Sequence, residues 1–305
     1  MADDIPFDRS FDLPPGKVEE VAPAIRRLLA NNPGPFTFKG TVSYIIGRGS
    51  VAIIDPGPDD RQHVASLLDA VRGETVTHVF VTHTHRDHSP AAAAIQAATG
   101  AMTVAQGPHR PARPLNIGEA ARLEASGDTA FRPDIAIPDG ETLSSDGWAL
   151  EAVATPGHTA NHMAFALCRS DFLFCGDHVM AWSTPVVAPP DGAMGDYMAS
   201  LRKLQKRGET VYFPGHGGLV REAPRFIGHY IRHREAREAA ILKHLVDGPA
   251  DIPELVRAIY VGLDSRLVGA AGLSVFAHLE DLMGRGLVAT DGPASISGTY
   301  RRASG

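Results

Sequence analysis

Strand-like and helix-like patterns of apolar residues alternate along the first two thirds of the chain. β-Branched and aromatic residues dominate positions 41–54 and 76–82, whereas apolar residues recur with helical spacing at 61–71 and 91–99. Further strand-like runs cover 141–174. Such alternation is typical of an α/β (α+β) fold.

A different pattern begins at residue 232, where helices are followed by a hairpin. Residues 251–254 predict a capping box at a helix start. Apolar faces with helical spacing follow at Leu255, Ile259, Phe276, Leu279, Leu282 and Met283. Short runs at 287–289 and 299–301 then predict two strands about a turn. The order of these elements resembles a winged helix.

Three histidines and an aspartate stand within residues 82–88, directly after the apolar run 76–81. An extended chain sends alternate side chains to the same side, so His83 and His85 are expected to point together. Imidazole and carboxylate groups at this spacing indicate a metal site. The simpler alternative is a polar loop that happens to be rich in histidine.

A helix is predicted directly after this motif. Ser89 is the expected N-cap, followed by Pro90 in the first turn, and an alanine-rich helix over 91–99 ends at Gly100. Asp87 and His88 would then lie in the loop between strand and helix. Two histidines on one side and an Asp-His pair on the other suit two metal ions better than one closed cage.

Three more candidate ligands each follow an apolar run at a glycine-bearing turn, and these are His158, Asp177 and His216. Each is therefore expected at the edge of a sheet. Such donors suit zinc, with manganese or iron as alternatives. Two ions roughly 3.5–4 Å apart can share a hydroxide that attacks a carbonyl carbon or a phosphorus atom. Asp87 is the expected catalytic residue, because it can bind a metal and orient this nucleophile.

The order His-X-His-X-Asp-His, His, Asp and His resembles the metallo-β-lactamase superfamily over about two thirds of the chain. The resemblance implies a four-layer αββα sandwich and two metal ions. Its implied ligands are His83, His85 and His158 for the first ion and Asp87, His88 and His216 for the second, with Asp177 bridging. Asp55 matches an aspartate at a strand end that holds ligand histidines in orientation.

Departures from other members of the superfamily narrow the expected activity. True zinc β-lactamases of the commonest type carry cysteine at the position of Asp177, and di-iron oxidoreductases carry glutamate at that of His85. β-Lactam hydrolysis and a redox role are therefore disfavoured. The segment from Asp177 to His216 is too short for the inserted domain of the RNA-processing nucleases.

Residues 32–44, 191–192 and 229–245 resemble the β-lactamase-like protein 2 group. Characterised members of that group cleave single-stranded RNA, so the resemblance implies a binuclear, endoribonuclease-like hydrolase of phosphodiesters. The alternative is a thioester or ester hydrolase similar to glyoxalase II, which has the same ligand set. No substrate-binding residue follows from the sequence.

Charge bears on a third possibility, a nucleic-acid-binding regulator with structural metals. Residues 232–305 hold nine Lys and Arg against nine Asp and Glu, and the whole chain carries a net charge of -6. Neutrality is unfavourable for binding a phosphate backbone. We therefore expect a catalytic domain over 1–228, and over 229–305 a linker helix and a winged-helix-like domain packed beside the active site. With no apolar run of membrane-spanning length and no signal sequence, a cytoplasmic protein without a membrane partner is expected.

Overall fold

The computed structural model describes residues 5–116 and 119–303, and its first sheet has seven strands. In spatial order they are β1 (Glu19–Ala22), β2 (Ile25–Leu29), β3 (Val42–Arg48), β4 (Ser50–Ile54), β5 (Thr75–Phe80), β6 (Met102–Ala105) and β7 (Ile135–Ala136). Strands β4 to β7 are parallel to one another. Parallel pairing brings the carboxyl ends of β4 and β5, and the loops that follow them, to the same edge of the sheet.

The second sheet has six strands. In spatial order they are β13 (Val220–Arg221), β12 (Val211–Pro214), β11 (Phe172–Gly176), β10 (Met163–Leu167), β9 (Trp148–Ala154) and β8 (Thr142–Ser145). Only β11 and β12 pair in parallel in this sheet. Their carboxyl ends therefore share an edge, from which Asp177 and His216 follow.

Helices cover the outer face of each sheet. These helices are α1 (Arg61–Ala70), α2 (Ala92–Thr99), α4 (Met194–Gln205) and α5 (Ala223–His244). A further short helix, α3 (Ala120–Ser126), precedes β7. Phe80, Phe165 and Phe213 belong to the apolar layer between the sheets. Leu67 of α1 packs on the first sheet and Tyr197 of α4 on the second. The expected four-layer αββα sandwich is confirmed.

The helix expected after residue 88 is present, but its predicted cap is wrong. Helix α2 ends at Gly100, which adopts a left-handed conformation with φ 75°. Ala91 occupies the N-cap position and makes no side-chain cap hydrogen bond. Ser89 Oγ instead donates to Asp128 Oδ2 at 2.8 Å. The hydroxyl therefore ties the metal-motif loop to a distant segment rather than closing the helix end.

The C-terminal unit contains helices α6 (Ile252–Ile259) and α7 (Val268–Gly284), separated by a 3-10 turn at Ser265–Leu267. The capping box between Asp251 and Glu254 is confirmed. Its sheet has the order β14 (Ala250–Asp251), β16 (Thr299–Arg302), β15 (Val288–Thr290). Strand β14 has only two residues, which is too short to give a pattern in the sequence.

Helix α5 runs without interruption for 22 residues between the two units. The predicted boundary between 228 and 229 falls inside it, and that boundary stays a prediction. Tyr230 packs in the core under the second sheet, and Ile241 packs in the C-terminal cluster. Neither α5 nor any other helix in the described part of the chain is long and apolar enough to cross a membrane.

Truncating a phenylalanine between the sheets should destabilise the protein far more than truncating an exposed one. Phe80 is 0% exposed and Phe36 is 53% exposed. Phe80→Ala should lower the free energy of unfolding by about 3–5 kcal/mol, because a cavity is added to the lost burial. Phe36→Ala should change it by less than about 0.5 kcal/mol. Urea denaturation checks both, and equal losses would contradict the assigned core.

Candidate metal centre

The seven predicted ligands meet at one edge of the sandwich, in the loops that follow β5, β9, β11 and β12. His83, His85 and His158 form one group, and Asp87, His88 and His216 form a second, with ligand atoms within 4.8 Å of one another in each group. In the first group, His85 Nδ1 lies 3.1 Å from the Nε2 atoms of both His83 and His158. In the second, His216 Nε2 lies 3.3 Å from His88 Nε2 and 3.2 Å from Asp87 Oδ2.

Asp177 lies between the two groups. Its Oδ2 is 3.7 Å from His158 Nε2 and 3.2 Å from His216 Nε2. Its Oδ1 is 3.5 Å from His88 Nε2. One carboxylate therefore contacts members of both groups, as a bridging ligand would.

Each ligand histidine uses its outer ring nitrogen in a hydrogen bond to the surrounding protein. The partners are Thr82 Oγ1 for His83 (3.1 Å), Asp191 Oδ2 for His85 (2.7 Å), Asp55 Oδ2 for His88 (2.9 Å), Val186 O for His158 (2.7 Å) and Gly40 O for His216 (3.0 Å). Carbonyl and carboxylate oxygens only accept, and the Thr82 hydroxyl donates its proton to Asp55 Oδ2, so in each case the outer nitrogen carries the proton. Each ring, when neutral, therefore turns a lone pair toward the other ligands.

This convergence of lone pairs fits a bound cation. Acceptor nitrogens 3.1 Å apart repel one another unless a positive charge lies between them. Asp177 Oδ1 is buried and has no hydrogen-bond donor within residues 5–116 and 119–303. Imidazole and carboxylate donors suit zinc, manganese or iron. The histidine and aspartate cluster is thus able to bind metal ions.

Burial and neighbouring charge put His83, His158, Asp87 and Asp177 in the states that metals require. Burial lowers the pKa of His158 to about 4, and it also lowers that of His83, so both rings are neutral. Burial opposes ionisation of Asp87 and Asp177, but His88 and His216 hold both carboxyl pKa values well below their usual range. The same pairing raises the pKa of His216 to about 10 against the effect of burial. Metal binding here therefore displaces a proton.

Asp55 connects the strand ends behind the ligands. It is 2% exposed and has a left-handed backbone with φ 51°. Its Oδ1 accepts from Thr82 N at 2.7 Å, and its Oδ2 accepts from Thr82 Oγ1 at 2.7 Å and from His88 Nδ1 at 2.9 Å. The Thr82 hydroxyl in turn accepts from His83 Nδ1. Asp55 thus binds His88 of the second group directly and His83 of the first group through Thr82.

Sequence reasoning did not find several residues that support the centre. Asp191 holds His85, and Thr41 Oγ1 donates to Asp87 Oδ2 at 3.2 Å. Gly40 and Val186 act through backbone carbonyls, which have no side-chain signal. The pair 191–192 carried a group likeness in the sequence, but this likeness did not indicate a contact between Asp191 and His85.

A cavity of about 980 Å³ opens onto the centre. Five ligands line it, namely His85, Asp87, His158, Asp177 and His216. Most other lining side chains are apolar, including Phe38, Met180, Trp182 and Val186 from the sandwich and Leu263, Leu267, Ala270 and Leu273 from the C-terminal unit. The rings of Phe38 and Trp182 stack with centroids 4.8 Å apart. The C-terminal unit therefore forms part of the wall, beside the candidate centre as expected.

Two protein-family models match the chain. The family model of the metallo-beta-lactamase superfamily matches residues 36–216. The chain belongs to the metallo-β-lactamase superfamily. A model of the beta-lactamase associated winged helix domain matches residues 252–295. The protein is therefore a metal-dependent hydrolase of this superfamily, and the expected winged-helix unit is confirmed.

Curated relatives of the chain include a beta-lactamase-like protein 2 homolog and a thioesterase. A beta-lactamase-like protein 2 homolog from Caenorhabditis elegans is 32% identical over 232 residues, which are 75% of this chain and 73% of that protein. An atrochrysone carboxyl ACP thioesterase from Paecilomyces divaricatus is 32% identical over 234 residues, or 75% of this chain and 67% of that protein. The likeness to the β-lactamase-like protein 2 group is thus confirmed.

Solved structures share the whole metallo-β-lactamase architecture. A metallo-beta-lactamase family protein from Thermus thermophilus superposes with a TM-score of 0.75 at 24% identity, covering 93% of this chain and 100% of that one. A beta-lactamase domain protein from Burkholderia ambifaria superposes with a TM-score of 0.77 at 19% identity, covering 97% and 96%. At these identities the likeness supports the fold.

Removing the Asp191 carboxylate should weaken metal binding. Asp191→Ala frees the ring of His85 to rotate, and loss of such a support costs roughly 10- to 100-fold in metal affinity. Titration of zinc against a competing chelator measures the change. Asp196→Ala, at an exposed aspartate at the start of α4, is the control and should bind zinc like the wild type. Equal affinities for all three proteins would contradict this role.

Proposed function

We propose that this hydrolase cleaves thioesters or esters of apolar acyl groups at a centre of two divalent metal ions. In this proposal the ligands are His83, His85 and His158 for one ion and Asp87, His88 and His216 for the other, with Asp177 bridging. Asp55 orients His88 and, through Thr82, His83. Zinc is the expected metal, and manganese or iron suits the same donors. Residues 1–228 carry the centre, and 229–305 cover it.

The apolar wall of the cavity carries this proposal. A cavity of about 980 Å³ has the size of a small-molecule site, and such sites combine apolar walls with a few polar groups that fix orientation. Here the metal ligands supply those groups. Burial of an acyl chain against Leu263, Leu267 and Trp182 would place its carbonyl at the ligands. Each methylene removed from water adds about 0.8 kcal/mol to binding.

Single-stranded RNA, the substrate that the family resemblance favoured, is less well supported. Proteins that bind single strands combine a basic groove with stacking aromatic rings. Phe36 and Phe38 offer rings, but the cationic side chains that line the cavity are limited to Arg9, Arg86 and Arg234 within the described residues. Two of the curated relatives are named as atrochrysone carboxyl ACP thioesterases, and these names agree with the thioester assignment.

The metal ions and Asp87 have different roles in the proposed reaction. When bound, the metal ions lower the pKa of a water molecule and polarise the substrate carbonyl. Asp87 lines the cavity, and the hydroxyl of Thr41 holds its carboxylate, so Asp87 can accept a proton from the attacking water. A carbon–oxygen bond then forms and the carbon–sulfur bond breaks. The proton passes from Asp87 to the departing thiolate, and the products are a carboxylic acid and a thiol.

The proposal predicts cleavage of a simple acyl thioester. Zinc-loaded protein should release free thiol from S-octanoyl-N-acetylcysteamine, and a chelator should abolish the reaction until zinc is restored. An end-labelled single-stranded RNA is assayed in parallel. RNA cleavage without thiol release, by the wild type but not by an identically prepared Asp87→Ala protein, would overturn the proposal in favour of an endoribonuclease.

Asp87→Ala should reduce kcat more than loss of one ligand histidine does. Asp87 is proposed both to bind metal and to accept a proton, whereas His83 only binds metal. General base catalysis contributes about 10²- to 10⁴-fold, so Asp87→Ala should fall below His83→Ala by at least about tenfold with the zinc content of both proteins measured. Equal residual rates at equal zinc content would count against the second role.

A further inference from the structure

Arg234 is a buried cation that lines the cavity. It lies on α5 and is 2% exposed. Its guanidinium donates to Pro185 O at 2.6 Å and lies 5.2 Å from the centre of the Tyr197 ring. Its Nε is buried and has no hydrogen-bond acceptor within the described part of the chain. No described carboxylate lies within ion-pair distance of it.

Two partly covered arginines elsewhere in this protein are balanced by acids. Arg113 pairs with Glu119 and Glu280, and Arg207 pairs with Glu151 and Glu209. A buried charge without a partner is costly, because the lost hydration is not replaced. Arg234, which is more deeply buried than either of them, has no such counter-ion among the described residues.

The groups around Arg234 do not provide that charge. His233 and Ser274 also line the cavity. His278 is buried and close enough to Arg234 to feel its charge. Burial and the charge of Arg234 lower the pKa of His278 to about 3, and burial with the same charge lowers that of His233 to about 4, so both rings are neutral. Neither ring nitrogen of His278 has a hydrogen-bond partner among the described residues. Among the described residues, the groups around Arg234 therefore include no anion.

Arg234 is also connected to the metal centre through two consecutive carbonyl groups. Arg234 binds the carbonyl of Pro185, and His158 Nδ1 donates to the carbonyl of Val186 at 2.7 Å. One short segment of backbone thus holds both the cation and a proposed metal ligand. A molecule that fills the cavity can reach both at once.

We propose that Arg234, with His233 and Ser274, forms a subsite that binds a carboxylate of the substrate. The substrate is then a thioester or ester that carries a carboxylate separated by an apolar stretch from the reacting carbonyl. A single guanidinium among neutral groups balances one negative charge, which favours a carboxylate over a phosphate dianion. This inference rests on the proposed function for the identity of the reacting bond.

Binding of unreactive amides tests the subsite separately from turnover. In these compounds an amide bond takes the place of the thioester bond of an S-acyl-N-acetylcysteamine, and the acyl chain has four to ten carbons. The chain ends in a methyl group in one series and in a carboxylate in the other. Calorimetry on the zinc-loaded wild type should show at least about tenfold tighter binding of the carboxylate at one chain length, as a charge-assisted hydrogen bond provides. No preference at any length would overturn the proposal.

Arg237 supplies a matched control on the same helix. It too donates to a backbone carbonyl, that of Ile259 at 3.0 Å, and lies 4.5 Å from a tyrosine ring, that of Tyr260, but it does not line the cavity. Arg234→Gln should abolish the preference and leave the affinity of the neutral amide unchanged, and Arg234→Lys should retain part of it. Arg237→Gln should bind both series like the wild type.

The outcomes separate this inference from the proposed function. An equal loss of both amide series in Arg234→Gln would assign Arg234 a purely structural role and overturn the subsite. The subsite would also be overturned if Arg234→Gln kept the preference for the carboxylate amide while Arg9→Gln or Arg86→Gln lost it. A preference that depends on Arg234, in a protein that cleaves no thioester, would support the subsite and refute the proposed reaction. If Arg234→Gln does not fold, the wild-type ratio and Arg234→Lys decide.

Discussion

The candidate centre depends on hydrogen bonds made by the side of each ligand histidine that faces away from it. Those bonds fix which ring nitrogen carries the proton and prevent free rotation of the rings, so five lone pairs point inward once every ring is neutral. Two acceptors are carboxylates, Asp55 and Asp191, two are backbone carbonyls and one is a hydroxyl. The sandwich brings these acceptors together from both sheets, so the arrangement of ligands requires the complete fold.

The ligands could be predicted from the sequence because each follows a strand, and strand ends meet where sheets share an edge. The αββα arrangement followed from the family resemblance, with the alternating pattern in agreement. Apart from Asp55, which the family resemblance implied, the supporting contacts could not be predicted in this way. Asp191 lies 106 residues from His85 in the chain and meets it only through the fold. The carbonyls of Gly40 and Val186 carry no residue-specific signal at all.

The sequence and the structure favour different substrates. The ligand set admits phosphodiesters and thioesters alike, and the RNA hypothesis came from resemblance alone. The cavity adds information because its wall is assembled from parts remote in the chain, such as Trp182 and Leu267. Apolar side chains in a winged-helix unit look like ordinary core residues in the sequence. Only their place in the wall of the cavity, together with the candidate ligands, indicates the proposed contact with the substrate.

Helix α5 is uninterrupted, so its rotation per residue determines how the winged-helix unit is oriented about the helix axis. That orientation in turn determines where this unit places its part of the cavity wall. Each residue of an α-helix advances the chain by about 1.5 Å and turns it by about 100°. One residue inserted between Tyr230 and Ile241 would therefore rotate the winged-helix unit about the helix axis and carry Leu263 and Leu267 away from the ligands. Changes of sequence on the exposed face of α5 leave this orientation intact. The length of helix α5 thus determines the shape of the cavity in which the reaction is proposed to occur.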